Sequence, residues 1–91
     1  MSIGREYLIR GKVQGVGFRF FVSRCAVNIG VRGSVRNLPD GRVKVIAEGE
    51  LSLISDFEKI VFKGPPKARV EDVEVFEIQA IANRKSFSIL D

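Results

Sequence analysis

Two short segments hold residue types at spacings suited to chemistry on an anion. The first, Gln14-Gly15-Val16-Gly17-Phe18-Arg19, sets two glycines around one residue and an arginine two places later. Glycines let the backbone turn tightly and approach a ligand, and the amides that open a following helix have no intrahelical partners. Gln14, Gly15, Val16, Gly17, Phe18 and Arg19 are therefore candidate contacts for a bound anion, with main-chain N–H groups as donors. Arg19 sharpens the expectation, because a cation at a helix N-terminus is unfavourable by about 0.3–1 kcal/mol unless a negative group lies between. A phosphoryl group suits this position: the planar guanidinium takes two of its oxygens and the amides take the third. The second segment is Asn37, just before Leu38-Pro39-Asp40-Gly41. Each also has a plainer meaning. A turn-initiating Asn commonly serves local hydrogen bonding, and glycines at this spacing commonly mark a turn before a solvated arginine.

The elements that would position these residues follow from periodicity. Tyr7, Ile9, Gly11 and Val13 alternate with Leu8, Arg10 and Lys12 as a first strand. Phe18, Phe21, Val22, Cys25, Ala26 and Ile29 then form one stripe of a helix, with Gly30 placed as its terminator. Val31, Gly33 and Val35 alternate as a second strand that Asn37 closes in phase, so its amide is expected on the helix-covered side. Leu38-Pro39-Asp40-Gly41 reads as a hairpin turn into a partner strand, Val43 to Glu48. Ser52 to Lys63 is helical by its apolar spacing, and Gly64-Pro65-Pro66 stops it. Val70 to Ile78 reads as a strand in which Val73 and Val75 fall out of phase with Phe76 and Ile78, which predicts a bulge or a two-sided strand. Ser86 to Leu90 adds a short closing strand. The order β-α-β-β-α-β with an extra C-terminal strand gives an α+β, ferredoxin-like sandwich: an antiparallel sheet with two helices on one face. Many functions share that scaffold, so activity must be argued from the site.

Composition removes several chemistries. Ninety-one residues, 45% hydrophobic and 29% charged, make one small domain, here 1–91. With no histidine and one cysteine, neither a histidine-based triad nor the usual zinc sets can be built, and no internal disulfide forms. A phosphocysteine loop would place arginine six residues after Cys25, where Val31 stands, and Cys25 lies on the apolar stripe, expected buried and inert. No Gly-Lys-Ser/Thr follows the glycines, which removes the nucleotide P-loop. Asp40 stands alone, Asp56 and Glu58 point to different sides of a helix, and Asp72 with Glu74 has no glycine loop beside it in sequence; no metal or other cofactor is expected. No apolar run is long enough to span a membrane and no secretory signal opens the chain, so a cytoplasmic, membrane-free monomer is expected.

Taken together, Gly11-Lys12-Val13-Gln14-Gly15-Val16-Gly17-Phe18-Arg19 and Gly33-Ser34-Val35-Arg36-Asn37 followed by Asp40-Gly41 resemble the two signatures of the acylphosphatase family. Gly30-Val31-x-Gly33, Gly49 and Gly64-Pro65-Pro66-x-Ala68-x-Val70 have family-like counterparts in order, so the resemblance covers nearly the whole chain. It implies hydrolysis of small-molecule acyl phosphates to a carboxylate and inorganic phosphate, with Arg19 matching the substrate-binding arginine and Asn37 the water-orienting asparagine. Inorganic phosphate or sulfate is then expected to occupy the same cradle. Two positions depart from the family: Gly17 replaces an aromatic found in some relatives, and Phe87-Ser88-Ile89-Leu90-Asp91 lacks an Arg-Tyr ending. Both bear on substrate preference and on the last strand.

The absence of histidine agrees with this substrate class. A carboxylate leaving group has a conjugate acid with a pKa of roughly 4 and departs without enzymatic protonation. An alkoxide leaving group would need a proton donor. The alternative is a non-catalytic anion- or nucleic-acid-binding module, its open sheet face carrying Arg10, Lys12, Arg32, Arg36 and Lys44. That face offers Leu8, Ser34 and Ile46 where single-strand recognition uses stacking aromatics, so no specific nucleic acid is expected.

Overall fold

The computed structural model describes residues 2–81 and 84–91. The elements run β1 (Ser2–Lys12), α1 (Phe18–Ile29), β2 (Arg32–Asn37), β3 (Val43–Glu50), α2 (Leu51–Lys63), β4 (Arg69–Ile78) and β5 (Phe87–Leu90). They form a five-stranded sheet in the order β4-β1-β3-β2-β5, antiparallel throughout except where β5 joins β2 in parallel. The sheet is therefore mixed rather than wholly antiparallel, and connectivity explains why. A short linker returns β5 from the end at which β4 stops, so β5 opposes β4; because β2 also opposes β4, β5 must run with β2. Reaching β2's free edge spans four strand spacings, roughly 19 Å at about 4.8 Å each, which residues 79–86 can bridge.

The core lies between the sheet and the helices. Tyr7, Ile9, Val35, Val43, Val45 and Ala47 from the strands meet Phe18, Val22 and Ala26 of α1 and Ile54, Phe57 and Val61 of α2. Strand alternation sets the sheet's contribution and the apolar stripes set the helices'. The thiol of Cys25 is partly buried against this core, and burial raises its pKa.

The phase conflict in β4 is resolved by a bulge. Arg10 pairs with Asp72 and Gly11 with Val70, leaving Glu71 as the extra residue. Val70 thereby joins Val73 against the core, while Phe76 and Ile78 stay on the opposite face. Gly11 is needed there, because a Cβ would run into the Arg69 carbonyl.

β1 begins earlier than the apolar alternation alone indicates. Arg5 lies in phase with Tyr7 on the helix-covered face. Its Nη1 donates to Glu58 Oε1 of α2 at 2.6 Å, and the Tyr7 hydroxyl donates to the same oxygen at 2.7 Å. Burial, reinforced by Glu58, pushes the Tyr7 phenol well above its ordinary pKa. These groups tie the far end of β1 to α2.

Candidate active site

Strands β1 and β2 end side by side across the start of β3, and α1 begins beside them. This places both sequence segments at one rim of the sandwich. Val13, Gly15, Gly17, Phe18, Arg19, Phe20 and Asn37 line a cleft of ≈ 120 Å³ there. Another cleft, ≈ 240 Å³, lies on the other sheet face among Arg10, Arg42, Asp40, Asp72, Glu74 and Leu8, where the charges already pair with one another.

The floor and walls of the smaller cleft are set by local backbone rules. Gly15 and Gly17 both have left-handed φ, 73° and 76°, and an added Cβ at either would meet nothing within 4 Å. Their conformation, not crowding by the protein, demands glycine, and open space lies beside both. Gly17 caps α1 with no side-chain hydrogen bond, and the first turn contains no acidic residue. The first helical bond runs from Phe21 N–H to the Gly17 carbonyl at 3.0 Å, so the amides ahead of it have no helical acceptor. Paired with left-handed turns, such amides form an anion-binding concavity.

Arg19 stands in that first turn. Its Nη1 donates to the Leu90 carbonyl of β5 at 3.1 Å, while Arg36 Nη2 donates to the Asp91 main-chain oxygen at 3.3 Å. The parallel strand β5, whose Leu90 pairs with Arg36, thus anchors the arginine from the side. No carboxylate lines the cleft. The positive charge of Arg19 and the partial charge of the helix start reinforce one another there.

Asn37 ends β2 in register with Val43, on the helix-covered side expected from alternation. Its Oδ1 is buried, and no protein group donates to it. Buried carbonyl-type oxygens are nearly always paired, so an orphan on a residue that lines a cleft marks that residue for attention.

The six residues expected to contact an anion divide. Gly15, Gly17, Phe18 and Arg19 line the cleft; Gln14 and Val16 do not. Val16 packs partly buried against the core. Gln14 turns toward the hairpin, its Nε2 donating to the Leu38 carbonyl at 2.8 Å and the Arg42 carbonyl at 2.9 Å. These bonds tie the glycine turn to the hairpin that follows Asn37. Two contributors were invisible in the sequence. Leu90 acts through a backbone carbonyl, which has no side-chain signature, and Phe20 lies off the apolar stripe that marks the helix.

On the far sheet face several basic residues have partners. Arg10 meets Asp72 at 3.4 Å, Lys44 meets Glu6 at 3.4 Å, and Arg32 donates to the Ser2 hydroxyl at 3.2 Å. Arg84 reaches over to the fully buried Glu48, Nε to Oε2 at 3.1 Å. Two of the five basic residues on this face, Arg10 and Lys44, are thus paired with carboxylates, which lowers the charge a polyanion would meet there. Among the described residues no cluster of three carboxylates or cysteine gathers, and no helix is long and apolar enough to cross a membrane.

Comparison with known proteins agrees with the geometry. The acylphosphatase family model matches residues 5–89. The chain is 46% identical over 87 residues to the acylphosphatase of Archaeoglobus fulgidus, covering 96% of this chain and 97% of that protein. It is 48% identical over 85 residues to that of Koribacter versatilis, covering 93% of this chain and 77% of that protein. The crystal structure of acylphosphatase from Bacillus subtilis superposes with a TM-score of 0.93 at 36% identity, covering 98% of this chain and 99% of that one. The matched span contains both the glycine turn and the strand that ends in Asn37, and the chain belongs to the acylphosphatase family, whose reaction converts an acyl phosphate to a carboxylate and inorganic phosphate.

Proposed function

We propose that Arg19 and the amides from Gly15 to Arg19 hold the phosphoryl group of an acyl phosphate while Asn37 orients the attacking water. Asn37 carries the assignment: it lines the same cleft as Arg19, and no protein group donates to its buried Oδ1. A water hydrogen-bonded to the Asn37 amide would stand at phosphorus with a lone pair free for attack. The water oxygen bonds to phosphorus as the bond from phosphorus to the bridging oxygen breaks, and the electron pair departs with the carboxylate. The leaving group needs no proton, and a phosphate oxygen, with a second pKa of about 6, takes the one that water releases.

Charge in this transition state spreads over the equatorial oxygens, so catalysis reduces to positioning and preorganised donors. The glycine turn and the arginine supply both, and none of these steps draws on a metal. The reading places the chain, 1–91, as one catalytic domain working as a cytoplasmic monomer on a small-molecule substrate, with inorganic phosphate or sulfate competing for the cradle.

The test is phosphate release from benzoyl phosphate, with a chelator present, by wild type, Arg19→Ala and Arg19→Lys. Arg19→Ala should lose at least about 10²–10³ in kcat/KM, the scale for one preorganised donor. Arg19→Lys should recover little, because a point charge cannot take two oxygens at once. A folded, inactive wild type, or an active Arg19→Ala, would overturn the assignment; oligonucleotide binding without turnover would favour the binding-module reading.

A further inference from the structure

We propose that Phe20 is the acyl-side binding surface of this cleft, selecting acyl phosphates whose acyl group is aromatic or bulky and apolar. The inference rests on the reading of the cleft as a phosphoryl cradle. Phe20 is 72% exposed, more than any other large hydrophobic side chain described. It lies off the apolar stripe of α1, so the core does not require it. A lone exposed apolar residue is ordinary, but this one lines the same cleft as Arg19 and Asn37.

The geometry of an in-line displacement says what it is for. Water and leaving group occupy opposite sides of phosphorus. Asn37 belongs to the β2 wall and Phe20 to the α1 wall. With water held on the asparagine side, the carboxylate and the group attached to it project toward the helix. The other apolar lining residues, Val13 and Phe18, are each only 1% exposed and form the floor. Phe20 is thus the apolar surface left for the acyl group to cover, and an aromatic acyl group gains ring contact as well as burial.

The experiment compares kcat/KM for benzoyl phosphate and acetyl phosphate in wild type, Phe20→Ala and Phe20→Leu, with inhibition by inorganic phosphate measured alongside. Phe20→Ala should lower benzoyl phosphate turnover about tenfold, the equivalent of ~1.4 kcal/mol. Acetyl phosphate turnover should change less than about twofold, with Phe20→Leu intermediate for the benzoyl substrate and phosphate inhibition unchanged. Equal loss on both substrates, unaltered benzoyl turnover, or weakened phosphate inhibition would overturn the role for Phe20. A folded wild type that hydrolyses neither substrate would instead overturn the cradle, and the inference with it.

Discussion

Replacing Asn37 by alanine separates a functional amide from a structural one, because the two make opposite predictions for stability. Asn37 Oδ1 is buried without a donor. Leaving such an oxygen unpaired costs about 1–3 kcal/mol, and only part of that applies at a residue open to a cleft on one side. Asn37→Ala removes the orphan and no protein hydrogen bond, so stability should stay level or rise by up to about 1 kcal/mol. For a domain this size that is an increase of at most about 4–8 °C in Tm. Losing the water's acceptor should cost turnover about 10²–10³, or ~2.7–4 kcal/mol of transition-state stabilisation. The loss should fall on kcat with KM nearly unchanged, since the substrate's own phosphate is held elsewhere. Urea unfolding gives the first quantity and initial rates on benzoyl phosphate give the second. A variant with a lowered urea midpoint and intact kcat would show that the amide merely closes the turn, and would refute the reasoning.

Two further perturbations test the frame around the cleft. Gln14→Ala removes two hydrogen bonds to the hairpin, worth about 0.5–1.5 kcal/mol each; melting temperature and kcat/KM should fall together, and lost activity at unchanged stability would mean that Gln14 touches substrate directly. Tyr7 is the one tyrosine of a chain without tryptophan, so tyrosinate absorbance reports it alone. Its folded pKa is raised above the unfolded value, so above about pH 10 only the unfolded chain releases this proton and stability falls by up to ~1.4 kcal/mol per pH unit from this group. Absorbance should therefore rise with unfolding; a phenolate titrating near pH 10 in protein still folded by circular dichroism would contradict the burial.

Much of this architecture was legible because local signals agreed with one another. The stripe from Phe18 to Ile29, the stop at Gly64-Pro65-Pro66 and the hairpin at Leu38-Pro39-Asp40-Gly41 each rest on short-range rules that tertiary structure did not override. Asn37 was placed on the correct side by strand parity alone. The start of β1 escaped because Arg5 breaks the apolar alternation, and its partner Glu58 lies 53 residues away. The side-chain partners of Gln14 escaped for a related reason: the carbonyls of Leu38 and Arg42, 24 and 28 residues on, come within reach only in the folded chain. The basic sheet face had the same weakness. Arg10, Lys44 and Arg32 stand out in one dimension, whereas Asp72, Glu6 and Ser2 reach them only through pairing of strands.

The cleft also gathers several departures from local stability rules in one place. Two left-handed glycines, a helix start with neither a side-chain cap nor an acid in its first turn, an arginine at the positive end of that helix, an unpaired buried oxygen and an exposed phenylalanine all line or border it. Each is unfavourable or neutral for folding alone. A single ligand relieves most of them together. An anion at the amides accounts for the missing acid and for Arg19, a water on Oδ1 accounts for Asn37, and an apolar acyl group covers Phe20. Bound inorganic phosphate should therefore stabilise the folded chain in proportion to RT ln(1 + [L]/Kd), and Arg19→Ala should abolish that increment while Phe20→Ala leaves it intact. The same stabilisation in all three proteins would mean that phosphate binds elsewhere and that these departures have no common cause.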